Sequence, residues 1–246
     1  MTPHLLYQGA EAKILLSDDE EFIIKDRIKK SYRIKELDDK IRKQRTKSEA
    51  KLLTKASEII NAPKPLPMKE FNIIKMPYIK GKRLSENLDF LPLEKQKEIM
   101  KIIGEETAKL HDADIIHGDL TTSNMILVEG GSDNGRNNVG DERAVNNQHK
   151  ISTTLTIPKR SIMTKSDTKQ LNPIIFFIDF GLGFISKKPE DKAVDIHLLK
   201  QALEAKHFKN WQALYNSFLK GYSKSKEEKK VLERLNEVEK RGRYRH

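Results

Sequence analysis

The string His117-Gly118-Asp119-Leu120-Thr121-Thr122-Ser123-Asn124 runs straight into the apolar segment Met125 to Val128, and a second apolar segment, Ile174 to Ile178, runs straight into Asp179-Phe180-Gly181. Short apolar runs bounded by polar turn residues predict paired strands. The chain must therefore fold so that two carboxylates and an amide stand at the edges of neighbouring strands. Asp119 and Asn124 share one short loop and Asp179 arrives from the next strand, so all three can face one point. Phosphoryl transfer asks for such a set, because it needs Mg²⁺ to neutralise phosphate charge and a carboxylate to orient the attacking hydroxyl, with little covalent chemistry. Each string alone is an ordinary turn; their order, each beside an apolar run, makes the pair specific. Asp119 is the candidate catalytic group, and Asn124 and Asp179 are the candidate Mg²⁺ ligands.

A chain of 246 residues is long enough to bury a sizeable core without covalent staples. No stretch approaches the roughly 18 apolar residues of a membrane helix, and the N-terminus turns acidic by Ser17 to Glu21 without a signal-peptide pattern. The expectation is a soluble, cytoplasmic protein. With no cysteine there is no disulfide framework and no thiolate metal site, so oxygen or imidazole must hold any metal. The formal charge is +11, which favours polyanionic partners. The excess is uneven: Lys25 to Lys55 holds 13 Lys or Arg against 5 acids and Lys240 to Arg245 adds four with no acid, and a solvated basic face is the plainer reading.

Along the chain, Lys13 to Leu16 and Phe22 to Ile24 flank the acidic turn Ser17 to Glu21 and predict a hairpin. From Leu37 onward Leu37, Ile41, Leu52, Leu53, Ala56, Ile59 and Ile60 fall mostly on one helical face, with Asp38 and Asp39 near the N-terminal end. Pro63, Pro65 and Pro67 stop that helix. Phe71 to Ile79 is strand-like up to the Lys80-Gly81 turn. Beyond it, Ile99, Ile102, Ile103 and Leu110, then Lys192 to Leu203 and Trp211 to Tyr222, carry helical periodicity. Residues 130–172, with four Gly and six Asn, are too long for an ordered connection and mark an insertion. Within it Ile151 to Ile157 alternates apolar and hydroxyl residues as a strand does.

The two motifs resemble the catalytic and metal loops of protein kinases. That resemblance implies ATP and Mg²⁺, and an upstream strand lysine fixed by a helix glutamate. Lys25, closing Phe22-Ile23-Ile24-Lys25, and Glu49, mid-helix, fill those places; the plainer readings are a solvated strand end and a surface partner of a lysine. Gly9 in Gln8-Gly9-Ala10-Glu11-Ala12 permits close backbone approach to phosphate, or makes an ordinary hairpin turn. The resemblance puts Gly9, Ala10, Glu11 and Ala12 over the nucleotide, and Met76, Tyr78 and Ile79 on the linker that holds adenine, where an apolar strand end is the alternative.

Two departures from protein kinases narrow the choice: Gly118 stands where Arg usually precedes the catalytic Asp, and no Ala-Pro-Glu follows Gly181. Only residues 182–246 lie beyond Gly181, and Asp195 falls in a helix matching the one whose Asp anchors the catalytic loop. The expected fold is α+β and bilobal, protein-kinase-like, with a minimal C-lobe lacking an activation segment and peptide-docking helices. Residues 1–79 form the expected N-lobe, 80–246 the mainly helical C-lobe, and 240–246 a basic tail.

The strings Lys25-Asp26-Arg27-Ile28-Lys29-Lys30-Ser31-Tyr32-Arg33, Leu37-Asp38, Arg45-Thr46-Lys47-Ser48-Glu49-Ala50, Asp179-Phe180-Gly181-Leu182-Gly183 and Arg241-Gly242-Arg243 make the chain similar to the small atypical serine/threonine kinase subunit of the KEOPS complex, EKC in eukaryotes, in its archaeal form. The family usually carries proline after the Tyr-Arg pair, where this chain has Ile34 and Lys35. The resemblance implies an ATP-consuming subunit, capable of Ser/Thr autophosphorylation, of the assembly that makes threonylcarbamoyladenosine in tRNA. It also implies a transferase partner on the C-lobe, a small subunit on the N-lobe, and tRNA contact by Lys240, Arg241, Arg243 and Arg245. Alternatives from other classes are a small-molecule phosphotransferase and a non-catalytic RNA-binding pseudokinase.

Overall fold

A computed structural model describes residues 3–128 and 173–243 of the chain. The insertion and its expected strand at Ile151 to Ile157 lie outside the described residues, as does Arg245.

The N-terminal part is a four-stranded antiparallel sheet, β1 (His4–Gln8), β2 (Ala12–Leu16), β3 (Phe22–Arg27) and β4 (Ile73–Pro77), in the order 1-2-3-4. The β2–β3 hairpin follows its apolar runs, and its turn is held by Ser17 N–H on Phe22 O (2.9 Å) and Glu21 N–H on the Asp19 carboxylate (3.1 Å). Strand β1 carries no period-2 signal, because every one of its residues is exposed. Pairing with β2 makes it a strand.

Helix α1 (Lys35–Ser57) lies between β3 and β4 in sequence. Its buried positions Asp38, Thr46, Glu49, Leu52, Leu53 and Ala56 keep the 3–4 spacing of one face. Leu37, expected on that face, is exposed, and Asp38 is buried in its place. The reason is charge pairing, since a buried carboxylate is tolerated only with partners. The Asp38 carboxylate accepts from Arg42 Nε (2.8 Å) and Lys30 N–H (3.3 Å) and faces Arg33 (3.6 Å), tying the segment before the helix to its first turn.

The C-terminal part begins with β5 (Lys82–Arg83), a one-turn helix α2 (Leu84–Asn87), a 3-10 turn at Leu88–Phe90 and helix α3 (Leu93–Asp112). Then come β6 (Ile115–Ile116), a 3-10 turn at Thr122–Asn124, β7 (Met125–Val128), β8 (Ile174–Phe177), β9 (Phe184–Ile185) and three helices, α4 (Pro189–Lys206), α5 (Trp211–Tyr222) and α6 (Glu228–Arg243). Lys240 to Arg243, read from sequence as tail, are the last turn of α6. Its side of the molecule is pinned by Lys192 to Glu227 (2.5 Å) and Lys200 to Glu239 (2.8 Å). Helices α3 and α5 meet backbone to backbone: a Cβ on Gly104 would stand 2.1 Å from Phe218 O, and one on Gly221 2.0 Å from Lys101 O. Around this crossing Ile99, Ile103, Leu199, Leu214, Phe218 and Tyr222 are fully buried and continuous with the core, which removes their apolar surface from water.

Two small pairings position the motifs. β7 and β8 are antiparallel, from Met125 opposite Phe177 to Val128 opposite Ile174, and Ile178 N–H continues to Asn124 O at 3.0 Å. β6 pairs with β9, Ile116 opposite Phe184, which lays His117-Gly118 against Leu182-Gly183. Residues 186–188 are all that separates β9 from α4. There is no room between them for an activation segment. Among the described residues no helix is long and apolar enough to cross a membrane.

Candidate active site

The alternation of a strand turns Lys25 and Arg27 of β3 to the same buried side. Lys25 Nζ donates to Glu49 Oε1 at 2.7 Å and to Asp179 Oδ1 at 2.7 Å, joining β3, α1 and the segment after β8. Glu49 is 1% exposed, and its second oxygen accepts from Arg27 Nη2 at 2.5 Å. A buried carboxylate with two cations is compensated, whereas a bare one would be costly. Burial alone would push the Lys25 ammonium down, but the Glu49 and Asp179 carboxylates outweigh it and hold it above its ordinary value. Burial likewise pushes the half-exposed Asp179 up. The Lys25 charge, its hydrogen bond and the Gly181 N–H (3.2 Å) reverse this, leaving Asp179 below the usual carboxylate range. Both groups are held charged.

Asp179 adopts φ 61°, a left-handed conformation uncommon for a non-glycine residue. That turn brings Gly181 so close that a Cβ there would sit 2.9 Å from Asp179 Oδ1 and 3.6 Å from Arg27 Nη2. A side chain at 181 would therefore crowd the Asp179 carboxylate.

On the facing loop, Asn124 Nδ2 donates to the Asp119 carboxylate (2.8 Å) and to Asp119 O (2.9 Å), so the two candidate groups are locked to each other. His117 braces the loop. Its Nε2 donates to Ile178 O (3.1 Å) and its Nδ1 accepts from Asp119 N–H (3.3 Å), the only assignment open to a neutral ring facing a carbonyl. The ring also packs on Phe180 at 4.5 Å between centroids. Asp195, on α4, accepts from His117 N–H (2.6 Å) and Gly118 N–H (2.8 Å). His111 Nε2 lies 3.4 Å from the same carboxylate, and its Nδ1 accepts from the Tyr222 hydroxyl at 2.9 Å. Burial keeps that phenol protonated by pushing its pKa well up. Gly118 has φ 79°, and a Cβ there would stand 2.3 Å from Leu182 O. The glycine in place of arginine is what allows the two loops to touch.

Gly9, Ala10, Glu11 and Ala12 span the β1–β2 turn, closed by Gly9 N–H on Ala12 O at 3.0 Å. It is tied toward α1: Ala10 O accepts from Lys30 Nζ, and Glu11 pairs with Arg45 at 2.8 Å. Met76 lies in β4 opposite Ile23, and Tyr78 N–H is already donated to Glu21 O at 2.7 Å, so that amide is not open to a base. Ile79 follows it, partly buried. Lys240 and Arg241, with Arg243, stand at the end of α6, away in sequence from these loops. The structure thus brings Lys25, Glu49 and Asp179 into direct contact, and Asp119 and Asn124 into contact with each other. Arg27 is not among the residues singled out from sequence; its position two residues after Lys25 on one strand face is the signal that could have found it.

The donor set suits a hard divalent cation and a phosphate. Among the described residues no group of three His, Cys, Asp or Glu could hold a metal alone. One carboxylate, Asp179, and one amide, Asn124, fit Mg²⁺, which keeps waters and takes oxygen from substrate phosphates. Among the described residues Arg27 Nε–H is buried without a hydrogen-bond partner, beside the Lys25 cluster.

The chain is similar to known proteins along nearly its whole length. A family model described as the RIO domain matches residues 14–132. The KEOPS complex subunit Bud32 of Pyrococcus abyssi is 38% identical, over 98% of this chain and 96% of its own length. The probable serine/threonine-protein kinase BUD32 homolog of Archaeoglobus fulgidus is 33% identical over 97% and 95%. A probable bifunctional tRNA threonylcarbamoyladenosine biosynthesis protein of Methanobrevibacter smithii is 36% identical over 99% of this chain, which spans 37% of that longer protein. Among solved structures, the Rio2 kinase–ADP/Mg²⁺–phosphoaspartate complex from Chaetomium thermophilum superposes with a TM-score of 0.51 at 13% identity, covering 96% of this chain and 70% of that one. WaaP in complex with acyl carrier protein gives 0.52 at 10% identity, over 98% and 89%. At such identities these two bear on the fold alone.

Proposed function

The chain belongs to the family of the KEOPS complex subunit Bud32, and from that membership we propose that it is an atypical serine/threonine kinase and ATPase that supports threonylcarbamoyladenosine formation in tRNA. The observation that carries this reading is the Lys25 ammonium held between Glu49 and Asp179 at 2.7 Å to each.

In this reading Lys25 takes the α and β phosphates of ATP, with Gly9, Ala10, Glu11 and Ala12 covering them, while Glu49 holds Lys25 in place. Met76, Tyr78 and Ile79 border the adenine, with Tyr78 contributing its carbonyl and side chain, since its N–H is engaged by Glu21. Asn124 and Asp179 would hold Mg²⁺, which when bound supplies neutralisation of phosphate charge. Asp119 orients the attacking hydroxyl of water or of a Ser or Thr, its carboxylate aimed by Asn124 Nδ2. The same base and the same charges serve both acceptors, so hydrolysis and autophosphorylation are two outcomes of one site.

In this reading the partners are a transferase subunit on the helical C-terminal part, a small KEOPS subunit on the N-terminal sheet and helix, and tRNA; the relatives' names support only assembly with KEOPS subunits and a role in tRNA modification. Lys240, Arg241, Arg243 and Arg245 supply positive charge for tRNA phosphates. The setting is cytoplasmic. The test is ATP hydrolysis and autophosphorylation by the full chain, alone, with the transferase and with tRNA. Asp119→Asn should abolish turnover in every mixture while the melting temperature holds. Turnover retained by that variant overturns the role of Asp119, and no turnover by the wild type in any mixture overturns the reading as a whole.

A further inference from the structure

Helix α4 grips the loop 117–124 twice. Toward its start Asp195 holds the His117 and Gly118 amides, as above. At its end His207, 1% exposed, forms the helix cap with its N–H on Leu203 O (2.8 Å) and turns its ring inward. His207 Nδ1 lies 2.8 Å from Asp89 Oδ1 and Nε2 lies 3.0 Å from Thr122 Oγ1. Thr122 is itself 1% exposed and sits between Asp119 and Asn124 in the chain. A carboxylate only accepts, so Asp89 fixes the Nδ1–H tautomer; Nε2 is left as an acceptor and the Thr122 hydroxyl donates to it. Three segments far apart in sequence, the 3-10 turn at Leu88–Phe90, the end of α4 and the 3-10 turn of the loop, thus converge on one imidazole.

We propose that His207, aligned by Asp89, is a positioning residue that fixes the far end of the catalytic loop through Thr122, so that α4 sets Asp119 and Asn124 as one rigid unit. This rests on the kinase and ATPase reading for what the loop does, and on geometry alone for what holds it. Among the described residues the Thr122 side chain has no second partner to hold the turn, whereas the near end of the loop has the Asp195 carboxylate. Losing the His207 contact should let the loop drift without touching Lys25, Glu49 or the β1–β2 turn. The effect belongs on the chemical step and not on ATP binding.

The experiment uses the full chain with Mg²⁺ and ATP, in whichever mixture gives the wild type its highest turnover. His207→Ala and Thr122→Val should each lower kcat by about 10- to 100-fold, the scale of a small misplacement of reacting groups, with the KM for ATP within about twofold of wild type. The double variant should be no slower than the worse single one, because both cut the same contact. His207→Gln places an amide near the lost Nε2 and should recover rate relative to His207→Ala; His207→Asn, which mimics only Nδ1, should not. Asp89→Ala, at a half-exposed side chain that opens no cavity, should lower kcat in the same direction if the buried variants fail to fold. Amide hydrogen exchange over residues 117–124 should quicken in each variant, a readout that needs no turnover. Wild-type rates in folded variants, losses that multiply in the double variant, a change confined to KM, or unchanged exchange would each overturn the proposal. Failure of the kinase reading is distinguishable, because it appears as a wild type silent in every mixture.

Discussion

Glu49 accepts from Lys25 and from Arg27, and the chemistry of the site depends on that doubled charge. Lys25 alone is shared between one carboxylate on α1 and another after β8; Arg27 gives Glu49 a second cation that does not depend on Lys25. Arg27→Met should cost about 1.5–3 kcal/mol in urea denaturation, the value of a charge-assisted hydrogen bond, and should raise the KM for ATP. The pH dependence follows from the two shifts. Asp179 is held below its ordinary value. Its contribution to stability is therefore present above the unfolded carboxylate pKa of about 3.9 and is lost as pH falls through the folded value. Lys25 is held above its ordinary value. Its contribution is present below the unfolded pKa of about 10.4 and is lost as pH rises through the folded value. Acid melting curves of Asp179→Asn should therefore fall less steeply than those of wild type below the ordinary carboxylate range; equal slopes would remove Asp179 from the linkage. Gly118 is the other residue at which local geometry decides. Its φ of 79° and the 2.3 Å that would separate a Cβ from Leu182 O leave glycine as the residue that fits, since only glycine enters that region without steric cost.

Helices and hairpins are legible in the sequence where apolar residues repeat with a clear period, as in the β2–β3 hairpin, α3 and α5. Strand β1 is not, because an exposed edge strand needs no alternation and takes its conformation from the partner it pairs with. The first half of α1 departs from its apolar pattern at Leu37 because buried charge replaces apolar residues there, and pairing by Arg33 and Arg42 comes from tertiary contact as much as from helix spacing. The end of α6 reads as tail because its last turn is all cation and glycine, and glycine is a poor helix former. The α3–α5 crossing carries a prediction of its own. A methyl at Gly221 would meet Lys101 O at 2.0 Å. Gly221→Ala should therefore cost at least about 1–3 kcal/mol, the usual penalty of overpacking, measured by thermal or urea unfolding. A smaller loss would mean the helices can part without consequence.

In the proposed reading, a nucleotide bridges the charged N-terminal cluster and the braced C-terminal loop. Mg²⁺ with a non-hydrolysable ATP analogue at about 100 times its Kd should therefore add about 2.7 kcal/mol of stability, and EDTA should remove most of the gain. A melting temperature indifferent to EDTA would rule out Asn124 and Asp179 as metal ligands. Which chemical groups exist, and at what spacing, is written in the order of residues: Asp119 and Asn124 on one loop, Asp179 after a strand, Lys25 behind three apolar residues. Those relations are local, since strand and helix periods and turn residues act over a few positions. That Arg27 shares Glu49, that Gly118 must be glycine and that His207 reaches Thr122 emerge only in the folded chain. Each depends on segments far apart in the chain closing to within contact distance, and a spacing along the sequence carries no record of such an approach.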